Sequence, residues 1–168
     1  MPDWLMRVST EAANHTGLRR GYVPGGGNWS PDIRNRIMTA AYTSDKERGM
    51  LHNQWLEANT HLRIGNITWK WLLEAERACR RIMRPDVLDH IECPILLANA
   101  GRDPIVEQDA ITRAADRLPD AGLLDLSASR HEILMENDQI RDKFLDAFLH
   151  LIETRTGAHD KSHMQPTL

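Results

Sequence analysis

The chain has 168 residues, of which 41% are hydrophobic and 27% are charged, and its formal net charge is −3. A chain of this length buries about two-thirds of its unfolded surface, so it can form a core without disulfides or a metal. The small and mixed charge is not that of a nucleic-acid-binding protein, and we expect no nucleic-acid partner.

The length of the apolar segments indicates where the protein is located. No apolar run approaches the roughly 20 residues that cross a bilayer, and the first residues do not resemble a signal peptide. We therefore expect a cytoplasmic protein without a transmembrane segment. All five tryptophans lie in the first 71 residues. We interpret them as core residues of small helices, and peripheral contact of their rings with a membrane stays open.

Helical signals dominate residues 1–90, and we expect this region to be helical. The tetrapeptide Ser44–Glu47 predicts a helix start, with the serine as N-cap of a capping box. Leu51, Trp55 and Ala58 then follow at spacings of four and three, which predicts one buried face.

A second helix is predicted over residues 68–83 and ends before Pro85. Between the helices, residues 22–29 contain three consecutive glycines and predict a loop that acts as a hinge. We expect Cys79 and Cys93 to be reduced and buried rather than joined. The helix predicted over residues 68–83 should bury one stripe of side chains, which consists of Leu72, Ala75, Cys79 and Ile82.

From Ile91 onwards, strand and helix signals alternate. The apolar run Ile95–Ala98 predicts a parallel strand covered on both faces, and Leu123–Leu126 predicts a second one. Between the strands, apolar residues at helical spacing predict a helix, which residues 119–122 break. These apolar residues are Ala110, Ile111, Ala114, Ala115 and Leu118. Asn137 is the predicted cap of a last helix, whose buried stripe is Ile140, Phe144, Phe148 and Leu151.

This order of elements predicts an α/β fold, with a core region at residues 91–156 and a disordered tail at 157–168. Strand, helix, strand implies a right-handed crossover. A two-stranded parallel sheet leaves backbone groups unpaired at its edges. We therefore expect upstream sequence, another protomer or a partner chain to supply the missing strands.

Two polar residues follow the predicted strands at the same sheet edge. Asp103 lies in a turn after the first strand, and His131 lies after the second. The carboxyl ends of neighbouring parallel strands are where α/β sheets assemble their sites. An aspartate hydrogen-bonded to an imidazole fixes the tautomer whose other nitrogen accepts a hydroxyl proton. The pair predicts the acid and the base of a catalytic triad, although a turn aspartate or a lone histidine is often inert.

At these residues the chain resembles α/β-hydrolases of the lysophospholipase L2 and monoacylglycerol lipase type, which are related to the S33 serine aminopeptidases. The resemblance extends over about residues 20–153. It is carried in the core by residues 93–97, 101–106, 131–136 and 140–141, and in the cap by residues 43–45, Arg48, 62–65 and 68–71.

The resemblance implies the C-terminal portion of an α/β-hydrolase sheet preceded by a helical cap, which residues 1–90 would form. It also implies that Asp103 orients His131 and that His131 activates a serine to attack an ester. The expected substrate is a small lipid ester, which would give the protein a role in lipid metabolism. Trp55, Trp69 and Trp71 are then candidate walls of the substrate site. The serine of that family lies on a Gly-x-Ser-x-Gly turn before the cap.

None of the serines of this chain lies in such a turn, and we expect the chain alone to be inactive. They occupy positions 9, 30, 44, 127, 129 and 162. Two alternatives stay open, namely a non-catalytic interaction protein derived from a hydrolase and part of a related hydrolase such as an aminopeptidase. We expect no cofactor and no metal, because His159 and His163 have helical spacing but no third ligand.

Overall fold

The computed structural model describes residues 3–32 and 41–156, so the predicted tail 157–168, with its two histidines, lies outside the described residues. The strands are β1 (Ile95–Ala100) and β2 (Ala121–Leu126). Short 3-10 turns cover Leu18–Arg20, Thr60–Leu62 and Ile133–Met135. The helices are α1 (Asp3–His15), α2 (Lys46–Ala58), α3 (Trp69–Ile82), α4 (Pro85–Leu88), α5 (Gln108–Ala115) and α6 (Asp138–Thr156).

The sheet of the described chain has two parallel strands, and the predicted α/β class is confirmed. Ile95 pairs with Ala121 at one end and Ala100 with Leu126 at the other. Helix α5 connects the strands, and both α5 and α6 pack on them. Strand β2 begins earlier than predicted, because Ala121 and Gly122 already pair with β1.

The sheet is less covered than the sequence predicts. The first five residues of β1 are half-buried and only Ala100 is buried, so the predicted cover on both faces of Ile95–Ala98 is wrong. Leu123 on β2 and Phe148 on α6 are exposed at 44% and 43%. Each strand of this sheet has one paired edge within the described residues. A sheet of only two strands offers helices little surface to pack on, so its apolar side chains stay partly exposed.

Helix α2 begins one residue later than predicted. Its N-cap is Asp45, whose Oδ1 accepts hydrogen bonds from the backbone N–H groups of Glu47 and Arg48, each at 3.1 Å. The prediction of Ser44 as the cap is wrong: Asp45 is the cap, and the Ser44 hydroxyl and backbone N–H both donate to the carboxylate of Glu136.

The buried face of α2 also differs from the prediction. Leu51 and Trp55 are exposed, at 49% and 66%, and Ala58 is exposed as well. The buried residues are Gly49, Asn53 and Leu56, which have the same four-three spacing on another side. Gly49 faces Thr43, since an added Cβ would lie 3.1 Å from the Thr43 Cγ2. Contact with the preceding segment therefore sets the orientation of the helix.

Helix α3 matches its predicted stripe in part. Thr68 caps it by accepting a hydrogen bond from the backbone N–H of Trp71 at 3.3 Å. Leu72 and Ala75 are half-buried, whereas Ile82 is 52% exposed. The expectation of buried cysteines is wrong, because Cys79 and Cys93 are exposed free thiols. In α6 the expected cap is observed, with the Asn137 Oδ1 accepting from the Ile140 N–H at 3.3 Å.

In the cap, helix α1 packs on α3, and the glycine-containing loop pairs with the segment before α3. The Val23 N–H donates to the Ile67 carbonyl at 3.2 Å, and the Trp69 N–H donates to the Gly21 carbonyl at 3.1 Å. Gly65 permits this approach, because an added Cβ would lie 2.3 Å from the Tyr22 hydroxyl oxygen. Among the described residues, no helix is long and apolar enough to span a bilayer.

The buried face of the cap can be tested with two leucines. Leu73 is fully buried, so Leu73→Ala is expected to lower the free energy of unfolding by about 2–5 kcal/mol through lost burial and a residual cavity. The control is Leu51→Ala at an exposed position, with an expected change within about 0.5 kcal/mol. Urea unfolding followed by circular dichroism measures both. A larger loss for Leu51→Ala would show that the helical faces assigned here are wrong.

Candidate functional site

The carboxyl ends of β1 and β2 lie side by side, and the loops that follow them are joined by backbone hydrogen bonds. The Gly101 N–H donates to the Leu126 carbonyl at 3.0 Å, and the Arg102 N–H donates to the Ser129 carbonyl at 2.8 Å. A Cβ on Gly101 would lie 2.5 Å from the Ser127 Cα. Glycine is therefore required for this close approach of the two loops.

The first loop holds Asp103 in a fixed orientation. Its Oδ1 accepts hydrogen bonds from the backbone N–H groups of Ile105 at 2.7 Å and Val106 at 3.2 Å. This is an Asx-type turn, in which the side chain replaces a backbone acceptor. The other carboxylate oxygen, Oδ2, is left to face the second loop.

The second loop brings His131 to that oxygen. The distance from His131 Nδ1 to Asp103 Oδ2 is 2.8 Å. The Asp103 side chain is only 6% exposed, and the His131 side chain is 30% exposed. An ionised carboxylate only accepts hydrogen bonds, so Nδ1 carries the proton of a neutral ring. The Nε2 lone pair of that tautomer is free to accept a proton.

Burial and hydrogen bonding act in opposite directions on the Asp103 carboxyl. Burial raises its pKa, but the hydrogen bonds from His131, Ile105 and Val106 lower it by more. The pKa of Asp103 therefore lies below its ordinary value, and the group is ionised at neutral pH. An ionised acid beside an imidazole is the state in which it can orient the ring and stabilise its protonated form.

The cap contacts the histidine loop directly. The ring of Tyr42 meets the His131 ring edge-on, with centroids 5.5 Å apart. The His131 N–H donates to the Ala41 carbonyl at 3.4 Å, and the Glu132 N–H donates to the Tyr42 carbonyl at 2.8 Å. The imidazole thus lies between the Asp103 carboxylate and the segment that leads into α2.

One further residue lies beside this pair, the fully buried Glu136, which the sequence did not single out. Its carboxylate accepts hydrogen bonds from Ser44 and from the backbone N–H of Arg130. The available signal was a charged residue at the end of the apolar Ile133–Met135 run. That signal is weak, because most glutamates beside a helix start are solvent-exposed.

The predicted wall residues have different surroundings. Trp69 is half-buried, while Trp55 and Trp71 are 66% and 57% exposed. The expectation that the tryptophans are core residues is therefore wrong for these two. Trp55 borders a shallow cavity of about 250 Å³ beside Gln54, Ala58 and Asn59. In the described chain, no hydrogen bond or ring contact joins the three tryptophans to Asp103 or His131.

The sequence of the chain matches that of a known protein family. The sequence model described as serine aminopeptidase, S33, matches residues 19–138. The chain belongs to the serine aminopeptidase S33 family. The resemblance inferred from its motifs is thereby confirmed, and the described residues form part of an α/β-hydrolase of this family.

The chain spans only part of the length of two relatives. It is 26% identical over 111 residues to a probable lysophospholipase L2 of Haemophilus influenzae, an alignment that covers 66% of this chain and 35% of the relative. Its fold is similar to that of a soluble variant of monoglyceride lipase from Saccharomyces cerevisiae, crystallised in complex with a substrate analog. That match has a TM-score of 0.58 and 11% identity, and covers 90% of this chain and 49% of the lipase.

The ionised state of Asp103 predicts a pH dependence of stability. Because the pKa of Asp103 is lowered in the folded state, the unfolded chain binds more protons as the pH falls through the two pKa values. The stabilisation is complete above the unfolded value of about 3.9 and is lost below the folded one. We expect Asp103→Asn to cost about 1–3 kcal/mol at neutral pH, with the difference from wild type shrinking below about pH 4.

Urea unfolding between about pH 3 and pH 7 measures this difference. The control is Asp86→Asn, which removes an exposed carboxylate paired with Arg84 at 2.7 Å. Solvent screening should leave that substitution with little effect at any of these pH values. A cost of Asp103→Asn that stays constant over the whole range would contradict an ionised, hydrogen-bonded Asp103.

Proposed function

We propose that Asp103 and His131 are the acid and base of a serine carboxylic-ester hydrolase, whose nucleophilic serine is supplied from outside these 168 residues. The observation that carries the proposal is the 2.8 Å contact between His131 Nδ1 and Asp103 Oδ2 at neighbouring strand ends. A carboxylate-oriented imidazole is the arrangement that removes a proton from a hydroxyl nucleophile.

In the proposed reaction, the Nε2 of His131 takes the serine hydroxyl proton as the serine oxygen bonds to the ester carbonyl carbon. The imidazolium is stabilised by Asp103 and then gives its proton to the departing alcohol oxygen. Water, deprotonated by the same nitrogen, then bonds to the acyl carbon. The imidazolium gives that proton to the serine oxygen as its bond to the acyl carbon breaks, which releases the acid and restores the serine hydroxyl. Both half-reactions use one proton carrier, and neither needs a metal or a cofactor.

We propose small lipid esters of the lysophospholipid or monoacylglycerol type as substrates. The names of the two relatives, a probable lysophospholipase L2 and a monoglyceride lipase, support this class. Trp55 and Trp71 present large exposed apolar surfaces in the cap, which suits an acyl chain. We propose that they, together with Trp69, line the substrate site, and that the protein works in the cytoplasm or at a membrane surface.

A non-catalytic interaction protein is the competing function. It is favoured by the two-stranded sheet, whose outer edges are open to pairing within the described residues. An aminopeptidase activity is favoured by the description of the family. A peptide amide assayed beside the ester substrates distinguishes that activity from ester hydrolysis.

The proposal predicts the outcome of an ester assay. The chain alone should not hydrolyse a chromogenic short-chain ester above the buffer rate, because its sequence has no serine on a Gly-x-Ser-x-Gly turn. The genomic sequence upstream of Met1, read in all frames for that turn, identifies the segment to co-express with the chain. With that segment, we expect hydrolysis of esters, including a monoacylglycerol and a lysophospholipid.

Substitutions then assign the roles. His131→Ala should lower kcat about 10⁶-fold, and Asp103→Asn should lower it about 10⁴-fold by allowing the wrong tautomer. His90→Ala, at an exposed histidine before the amino end of β1, is the control and should keep full activity. Turnover by the chain alone that His131→Ala abolishes would contradict an external nucleophile. If the chain co-expressed with the upstream segment stays active after His131→Ala, His131 is not the base.

A further inference from the structure

The carboxylate of Glu136 is an unusual feature beside the candidate site, because it is fully buried in the chain. Burying a carboxylate is unfavourable unless hydrogen bonds replace its water. Here Oε1 accepts from the backbone N–H of Arg130 at 2.8 Å, and both oxygens lie 3.1 Å from the backbone nitrogen of Ser44. The Ser44 hydroxyl donates to Oε2. The acceptor positions of the carboxylate are thus used by two segments far apart in sequence.

These two segments are the ones that hold the imidazole. Arg130 directly precedes His131, and Ser44 lies between the Tyr42 ring, which contacts the imidazole, and the start of α2. One carboxylate therefore joins the backbone on the amino side of His131 to the cap segment that packs against its ring.

Further hydrogen bonds surround this junction. The Thr43 hydroxyl donates to the Met135 carbonyl at 2.8 Å, and the Arg130 guanidinium donates to the Thr43 carbonyl at 3.2 Å. Arg48 donates to the Glu136 carbonyl and to the Asp138 carboxylate. Residues 41–48 and 130–138 thus form one connected unit, and the Glu136 side chain lies at its centre.

We propose that Glu136 is a positioning residue for His131. Its carboxylate joins the histidine loop to the cap segment 41–48, a connection that we call the clamp, and thereby keeps the imidazole within hydrogen-bond distance of Asp103. The inference rests on the proposed function, because it assumes that the Asp103–His131 pair has a catalytic use. It adds that the cap segment 41–48 is part of the machinery that orients the base. Displacement of that segment would then turn the ring away from the carboxylate.

The glutamine variant tests the clamp with little change in size. Glu136→Gln replaces one acceptor oxygen by an NH₂ donor, which faces the N–H groups of Arg130 and Ser44. Ring ¹⁵N NMR at about pH 8.5, where an ordinary imidazole is neutral, reports the tautomer of His131. In the wild type we expect mainly the Nδ1–H form. In Glu136→Gln the share of that form should fall.

Amide hydrogen exchange gives a second readout. We expect the amides of residues 130–132 to exchange about tenfold faster in Glu136→Gln, while the amides of α3 keep their protection, as expected for a local opening. The control is Glu132→Gln, which changes an exposed glutamate in the same loop and should alter neither readout. Glu136→Asp keeps the charge with a shorter reach and should restore part of the Nδ1–H population.

Three results would overturn the proposal. One is an unchanged tautomer in Glu136→Gln despite faster exchange, which would make Glu136 structural only. Another is an equal effect of Glu132→Gln. If Glu136→Gln does not fold, Ser44→Ala removes one donor to the carboxylate, and an unchanged tautomer there also refutes the clamp. All these measurements use the chain without substrate, so a failure of the ester assay does not affect them.

Discussion

The close parallel pairing of β1 with β2 is the constraint on which the candidate site depends. The six residue pairs from Ile95 with Ala121 to Ala100 with Leu126 bring both strands to an end at the same level. At that level, Gly101 lets the first loop lie against Ser127 without a Cβ clash. Asp103 and His131 are then close enough to be joined by a hydrogen bond. A bulkier residue at position 101 would separate the loops without touching either side chain of the pair.

Polar contacts and one ring contact join the cap segment 41–48 to this site. The segment 41–48 meets the histidine loop through backbone hydrogen bonds and through the buried carboxylate of Glu136. Such contacts are directional, because a hydrogen bond weakens steeply when its donor is misaligned. They therefore constrain the orientation of segment 41–48 relative to the loop that carries His131.

The described part of the chain has a small core and leaves apolar surface on the sheet layer exposed. Leu123 on β2 and Phe148 and Leu149 on α6 are exposed by more than two-fifths. The chain spans about a third of the length of the lysophospholipase relative and about half of that of the lipase. Exposed apolar strands and helices of this kind suit a layer that continues beyond the described residues.

The sequence by itself determined the order of strands and helices from Ile91 onwards, the Asn137 cap and the proximity of Asp103 to His131, whereas helices α1 and α4 were not predicted. These features follow from short apolar runs and turn residues, whose effect extends over a few positions. The cap of α2 and its buried face were decided only by the tertiary structure. The local pattern favours Ser44 as cap, but Glu136, distant in sequence, binds its hydroxyl and N–H, and Asp45 caps the helix instead. A local motif cannot show which distant acceptor competes for its donors.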